Sequence, residues 1–345
     1  EMPLHVTIQK TGHGFDVADG ETVLAGAQAA GITLPYGCRN GACGACKGKI
    51  VDGRVDYGAH QPYTLTDFEK QAGFALFCCA KPLTDLVIDA REISGVGDIQ
   101  VRKLPCRVIS IDKPAGDVAV LKLKLPANEK LQFLAGQYLE MLLKDGKRRA
   151  YSMANAPHET DHVELHVRRM PGGAFTEPVF TTLKEKDILR FEGPLGTFFL
   201  REDSDKPIIF VASGTGFAPI KAIIEHAFHA GLERQMVLYW GGRRPSDIYL
   251  AGLCRQWQAE HANFSFIPVV SDALPEDQWS GRDGFVHRAV IQDFHDLSGW
   301  QVYACGSPIV VDAAHADFTS LCALPDEEFF SDSFTASVDA GAPTA

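Results

Sequence analysis

Hydrophobic and polar positions follow three different rhythms along the chain. In "LHVTIQKTGHGFDV" apolar residues recur at every second position, so His5 to Ile8 reads as a strand and Thr11–Gly14 as a hairpin turn. "ETVLAGAQAAG" carries apolar residues at helical spacing and stops at Gly31. From about 100 to 200 the pattern changes to short alternating runs such as "GQYLEMLLKDGKRRAYSMANAP" and "HVELHVRRMPGG", cut by Gly, Pro and Asp turns. That rhythm predicts a small antiparallel β-barrel. From about 205 the runs become almost wholly apolar: "KPIIFVASGTG", "QMVLYWGGRR", "FSFIPVVSD" and "QVYACGS". With helical stretches between them they predict a parallel sheet covered on both faces. "APIKAIIEHAFHAG" is its first helix, with Pro219 near the first turn and Gly231 past the end.

The expected organisation is therefore an α+β domain over 1–96, a barrel over 100–202 and an α/β domain over 205–335, followed by a disordered tail over 336–345. A length of 345 residues suits two or three domains. A formal net charge of −11 makes nucleic acid an unsuitable partner and favours a protein partner with a basic docking face. No apolar run reaches the ~18 residues of a membrane span, and no secretory signal is visible, so the expected location is the cytoplasm. Glu1 in place of an initiator methionine points to a processed start or to an added residue. The nine cysteines are clustered rather than spread as a disulfide framework, which fits reduced thiols.

Three of those cysteines lie in "LPYGCRNGACGACKGKIVDG" with the spacing Cys38-x4-Cys43-x2-Cys46. Thiolates select soft metals. Structural zinc sites show two separated C-x2-C pairs, and there is no second pair here. The spacing followed by a distant cysteine is that of a [2Fe–2S] ligand set. "GFALFCCAKP" offers Cys78 and Cys79; strand alternation puts them on opposite faces, and Cys78 is the expected fourth ligand. Gly37, Gly41 and Gly44 would allow positive-φ turns that aim backbone N–H groups at sulfur, and Arg39 would add positive charge. The competing reading is a chance group of buried thiols, which the four-position spacing disfavours. Residues 1–96 resemble a plant-type ferredoxin domain with the β-grasp fold, matching at all four ligand positions.

"RRAYSMANAP" supplies Arg149-x-Tyr151-Ser152, which resembles the flavin motif of the ferredoxin–NAD(P) reductase superfamily. The resemblance implies that Arg149 pairs with the FAD diphosphate, that Tyr151 lies against the isoalloxazine ring, and that the small Ser152 hydroxyl approaches the reacting nitrogen. "LHVRRMPGGAFT" is similar to the second flavin element. It would place His166, Val167 and Arg168 under the ring and ribityl chain, with Gly172, Gly173 and Thr176 presenting amides and a hydroxyl to phosphate. The plain alternative is a hairpin turn and an ordinary helix start.

Gly214-Thr215-Gly216 and Pro219 follow a buried strand and open a helix, a context suited to a pyrophosphate. The pattern lacks the third glycine of the common dinucleotide fingerprint and resembles the reductase superfamily's variant. In "LYWGGRRPSDIYL", Arg243 and Arg244 could take a 2′-phosphate, or Asp247 could accept from ribose hydroxyls; the loop is similar to that of NADH users. Tyr249 reads equally as packing or contact. Cys305-Gly306 resembles the family's nicotinamide element, where a polarizable thiol packs beside the ring. Cys305 by itself would read as an inert strand-end thiol. Near the end, "EEFFSDSF" resembles the family's C-terminal strand, where an aromatic covers the flavin; Phe330 and Phe334 compete for that role, with Phe334 the expected one and simple packing the equal alternative.

The resemblance thus implies NADH as two-electron donor, FAD as the converter and the [2Fe–2S] cluster as one-electron carrier, with Ser152 and Cys305 at the hydride step. No general acid, base or nucleophile is required. It spans residues 3–335 and is closest to single-chain, monomeric reductase components of bacterial oxygenases. The implied partner is a terminal oxygenase, either a Rieske aromatic-ring dioxygenase or a diiron monooxygenase. CDP-6-deoxy-glucoseen reductases of deoxysugar synthesis share the architecture. A non-enzymatic electron carrier with decayed nucleotide domains is the third reading, opposed by Arg149, Tyr151, Gly214, Gly216 and Cys305.

Overall fold

The computed structural model describes residues 2–94, 96 and 99–335. The expected tail over 336–345 lies outside the described residues. The chain divides into two compact units, one ending at Ile99 and the other beginning at Gln100.

In the first unit β1 (Leu4–Ile8) and β2 (Gly14–Val17) form the predicted hairpin, and α1 (Val23–Ala29) follows. Thr22 caps α1 by accepting a hydrogen bond from the Ala25 amide at 3.1 Å. β3 (Lys47–Asp52), β5 (Phe74–Leu76) and β7 (Leu86–Asp89) complete a mixed sheet in the order β2-β1-β7-β3-β5. A short ribbon pairs β4 (Val55–Asp56) with β6 (Lys81–Pro82), and α2 (Asp67–Gln71) starts on a Thr66–Glu69 capping box. Val23, Leu24 and Ala27 of α1 share one core cluster with Val6, Ile8, Phe15 and Ile88, so the helix packs on the sheet, in keeping with the β-grasp expectation. Phe77, Cys78 and Cys79 are not strand residues. They form a turn after β5, fixed by Cys79 N–H donating to the Leu76 carbonyl at 3.0 Å. The expected alternation across that point is therefore wrong.

The second unit holds two sheets. β8 (Arg102–Ala115), β9 (Val118–Lys124), β10 (Tyr138–Leu142), β11 (Arg148–Ser152), β12 (His162–Arg168) and β13 (Ile188–Leu195) pair antiparallel in the order β11-β10-β13-β8-β9-β12. A Met153–Leu165 bridge joins the two ends, closing the barrel next to the short α3 (Thr176–Thr181). β14 (Ile208–Ser213), β15 (Met236–Gly242), β16 (Phe264–Val270), β17 (Arg282–Asp283), β18 (Gln301–Gly306) and β19 (Phe329–Ser333) form the other sheet, all parallel, in the order β17-β16-β15-β14-β18-β19. Its helices are α4 (Phe217–His229), α5 (Ala251–Glu260), α6 (Val286–Asp293) and α7 (Pro308–Leu321). Barrel residues Val118, Ala135 and Phe198 share one core cluster with Phe217, Ile220 and Ile223 of α4, so packing runs continuously past residue 203. Among the described residues no helix is long and apolar enough to cross a membrane.

Candidate functional site

In the first unit the loop between α1 and β3 wraps its own sulfurs. Cys38 Sγ accepts hydrogen bonds from the amides of Asn40, Ala42 and Cys43 at 3.4, 3.4 and 3.3 Å. Cys43 Sγ accepts from Cys38 and Ala45 at 3.3 and 3.4 Å. The Gly41 amide bonds Cys78. Most of these donors are neighbours of the glycines. Gly41 itself takes φ +79°, and a Cβ there would lie 2.8 Å from the His60 Cα, so only glycine fits. Gly37 has no positive φ; a Cβ at that position would meet Cys43 Sγ at 2.9 Å, so close approach is its reason.

The four thiols fall into two pairs. A hydrogen bond from Cys43, aided by the loop amides and opposed by burial, pulls Cys38 down to about 6, while Cys43 is pushed up in return. In the same way Cys46 holds Cys78 down to about 3, with Cys79 adding to the effect, and Cys46 rises. Among the described residues no three His, Cys, Asp or Glu side chains converge on a single-ion site. Two thiol pairs ringed by amides fit a two-iron cluster, in which each iron takes two thiolates and the sulfurs accept N–H bonds. Cys79 Sγ lies 3.4 Å from Cys78 Sγ, so the rim carries a fifth thiol.

In the second unit, Arg149, Tyr151 and Ser152 lie on β11, the barrel's terminal strand. Tyr151 is half-buried against Phe175, with ring centroids 5.2 Å apart. Arg149 donates to the Arg148 carbonyl at 2.9 Å. Ser152 Oγ is buried with no hydrogen-bond partner. An orphaned buried hydroxyl costs about 1–3 kcal/mol, and its position in the Arg-x-Tyr-Ser run fits a flavin that would satisfy it.

The second flavin element is only partly placed as expected. Val167 is fully buried in the barrel core with Val163 and Leu165, so its side chain is not under a ring. The His166 imidazole is enclosed as well, held by Tyr249 at 2.6 Å and Glu164 at 2.9 Å. Arg168 does reach the nucleotide half: its guanidinium would lie 3.4 Å from a Cβ on Gly214. Thr176 accepts from the Met170 amide at 3.0 Å and donates to the Met170 carbonyl, and the Gly173 amide bonds that carbonyl too. Those groups shape the Gly172 turn, which has φ +73°.

The parallel sheet supplies the strongest geometric pointer. The chain leaves β14 toward β15 on one side and returns as β18 on the other, which makes the C-terminal ends of β14 and β18 a topological switch point. Open α/β sheets bind ligands at such a point. Gly214, Thr215 and Gly216 form a tight turn after β14, and Cys305-Gly306 ends β18 beside it. A Cβ on Gly216 would meet the Cys305 carbonyl oxygen at 2.1 Å, so the two loops touch backbone to backbone. Pro219 is buried in the first turn of α4. Burial pushes the Cys305 thiol up, which keeps it neutral. Phe334 N–H donates to the Gly306 carbonyl at 2.8 Å, whereas Phe330 stacks on Tyr303 beneath the Arg201 guanidinium. Asp247 accepts from the amides of Arg243 and Arg244, both at 2.9 Å, and so braces its own loop. Both arginine side chains lean on Asp272, with the Arg243 guanidinium 3.1 Å from its carboxylate.

Three family models match: a 2Fe-2S iron-sulfur cluster binding domain over 6–83, an oxidoreductase FAD-binding domain over 105–200 and an oxidoreductase NAD-binding domain over 210–316. The chain is 40% identical to the CDP-6-deoxy-L-threo-D-glycero-4-hexulose-3-dehydrase reductase of Yersinia pseudotuberculosis, over 97% of this chain and all of that protein. It is 37% identical to the phenol 2-monooxygenase reductase component DmpP of Pseudomonas sp. CF600, over 91% of this chain and 89% of the other. The crystal structure of the Amycolatopsis cytochrome P450 reductase GcoB superposes with a TM-score of 0.77 at 34% identity, covering 96% of this chain and 99% of that one.

Proposed function

The chain belongs to the single-chain iron–sulfur flavoprotein reductases of the ferredoxin–NAD(P)H reductase type, and from that premise we propose that it oxidises NADH and feeds single electrons to a terminal oxygenase of the Rieske or diiron kind in the cytoplasm. Bound FAD would supply conversion between two-electron and one-electron transfer, and a [2Fe–2S] cluster would supply one-electron transfer. The observation that carries the reading is that one chain holds both a doubly paired thiol loop and a nucleotide seam at a sheet switch point.

On this reading the domains span 1–96, 100–202 and 205–335. Cys38, Cys43, Cys46 and Cys78 would hold the cluster, and the loop amides would offset the negative charge on sulfur. Arg149, Arg168 and the Gly172–Gly173 turn hold the flavin's charged half. Tyr151 covers its ring, Ser152 Oγ gains the partner it lacks, and Phe334 closes the site. Gly214, Thr215 and Gly216 take the NADH pyrophosphate, and Asp247 keeps the Arg243 loop in place for the adenosine half. Cys305 and Gly306 flank the nicotinamide. The buried neutral thiol offers a polarizable wall without a competing nucleophile.

A second reading is supported by the 40% full-length match: the acceptor is a deoxysugar dehydrase. Anaerobic titration of the holoprotein with NADH and NADPH tests the core of both readings. NADH should bleach the flavin and iron–sulfur bands, and a spectrum unmoved by either nucleotide overturns them. Reoxidation of the reduced protein by a Rieske oxygenase, a diiron hydroxylase or a CDP-deoxyhexulose dehydrase then separates the acceptors.

A further inference from the structure

A buried polar network in the second unit ties α4 to β12 and to the loop after β15. Lys221 on α4 places Nζ 3.0 Å from Glu164 Oε2, 2.8 Å from Glu225 Oε1 and 3.2 Å from the Ala154 carbonyl. Three ammonium protons thus meet three acceptors. Glu164 Oε2 is also 2.9 Å from His166 Nε2, and His166 Nδ1 is 2.6 Å from the Tyr249 hydroxyl. Burial pushes the Tyr249 phenol well up, so it donates to Nδ1, and the imidazole therefore donates from Nε2 to Glu164. Burial also keeps that imidazole neutral. The Tyr249 hydroxyl, both His166 ring nitrogens and Lys221 Nζ thus all have matched partners, with Glu164 Oε2 shared between His166 and Lys221.

Such a network is a costly way to fill space. Well-packed apolar side chains of the same volume would avoid the desolvation of Lys221, Glu164 and Glu225. What ionic matching adds is uniqueness: a slide of α4 breaks several contacts together. The contacts also join segments that matter. Glu164 and His166 lie on β12, and Ala154 lies two residues beyond Ser152. Lys221 lies on the first turns of the helix that begins at the Gly214–Gly216 turn, and Tyr249 lies on the loop after β15. Phe217, at the start of α4, stacks on Trp240 at 3.9 Å and faces His166 at 6.3 Å.

We propose that Glu164, His166, Lys221 and Tyr249 are positioning residues for hydride transfer: they fix the register of α4, and with it the Gly214–Gly216 turn against Cys305, relative to the strand end that carries Ser152. This rests on the reading that NADH delivers hydride across this seam. A displacement on the order of 1 Å at such a seam costs roughly 100-fold in rate.

The test uses full-length holoprotein carrying Tyr249→Phe, Lys221→Met, or Glu164→Gln with Lys221→Met. Anaerobic stopped-flow reduction with NADH and with 4-deuterated NADH gives the rate, the Kd and the isotope effect. Melting temperature and FAD content report folding, and amide exchange over 214–217 in the nucleotide-free protein reports register. For Tyr249→Phe, which removes one oxygen, we expect reduction slowed by roughly 10- to 100-fold, a Kd within about threefold, a larger isotope effect and faster exchange at the turn. The double variant should melt higher than Lys221→Met alone yet stay slow. If Tyr249→Phe and the double variant reduce at the wild-type rate, the network is structural only and the proposal falls while the reductase reading stands. If NADH fails to bleach the wild type, both fall.

Discussion

Replacing Gly216 by alanine sets two effects of opposite sign against each other. The residue has φ −58° and ψ −13°, ordinary right-handed geometry, so the backbone accepts alanine without strain. Helical propensity alone would favour the change by about 0.5–1 kcal/mol. The new methyl, however, would lie 2.1 Å from the Cys305 oxygen, 2.5 Å from its carbonyl carbon and 2.7 Å from Gly306 Cα. All three are backbone atoms, so no side chain can rotate away. Reaching ordinary contact near 3.4 Å requires the two loops to part by about 1.3 Å. Overpacking of this kind costs about 1–3 kcal/mol, which outweighs the propensity gain. The separation acts directly on the spacing between the Gly214–Gly216 turn, proposed for the pyrophosphate, and Cys305, where about 1 Å is worth roughly 100-fold in rate. Stopped-flow reduction of Gly216→Ala by NADH, with melting temperature and cofactor content measured in parallel, should show that loss with the iron–sulfur spectrum intact. Wild-type reduction rate together with an unchanged melting temperature would refute the backbone-contact argument.

Ser152→Ala removes an unsatisfied buried hydroxyl, so the FAD-free protein should melt at the same temperature or higher while the holoprotein reduces more slowly; a lower melting temperature for the FAD-free variant would show that Oγ has a protein partner. Cys78→Ala should lose iron and visible absorbance and Cys79→Ala should keep both, as read by iron analysis and spectroscopy; the reverse result would move the fourth ligand to Cys79, whose sulfur is only 3.4 Å away. Asp272→Ala frees the Arg243 guanidinium, while Arg244 keeps its bond to the backbone carbonyl of residue 272, and should raise kcat/KM for NADPH, relative to NADH, by roughly three- to tenfold, a modest gain because the Arg243–Asp272 pair is exposed. Acid should weaken the second unit through the buried network. Burial raises the Glu164 carboxyl, but His166 and Lys221 more than offset this and hold it at about 2, below its ordinary 4.5. Its contribution, on the order of 3 kcal/mol, is complete above pH 4.5 and disappears as pH falls toward 2. His166, kept neutral by burial, adds to the loss once pH falls below 6.5, because the unfolded chain takes up its proton. Melting temperature against pH should therefore slope downward below about 6.5, and Glu164→Gln should flatten the part below 4.5.

The features legible in the sequence are those whose causes are local. Cys38, Cys43 and Cys46 occur within nine residues, and their spacing already specifies a loop that folds back on its own sulfurs. The unbroken apolar run of β14 announces a strand covered on both faces, and the Gly and Pro punctuation from 100 to 200 announces the barrel. The features missed depend on which face a residue presents. Alternation in "VELHV" assigns Val163, Leu165 and Val167 to one side and Glu164 and His166 to the other, so the burial of Val167 was readable, but the motif drew attention to consecutive residues instead. Lys221 and Glu225 show the i,i+4 spacing of an ion pair, yet nothing local says that the pair is buried against a strand 57 residues upstream. Cys78 and Cys79 share a turn that contains no glycine or proline to announce it.

The same division fits a reaction that asks for no catalytic acid or base from the chain. Hydride and electron transfer make few chemical demands on side chains and strict demands on spacing. Spacing is set by contacts between segments far apart in sequence, such as Gly216 against Cys305 and Lys221 against Glu164. Motifs therefore report which groups the protein holds, and the buried seam decides how well it uses them. Substitutions along that seam should alter rate more than affinity, whereas substitutions in the motifs should alter affinity for the cofactor first.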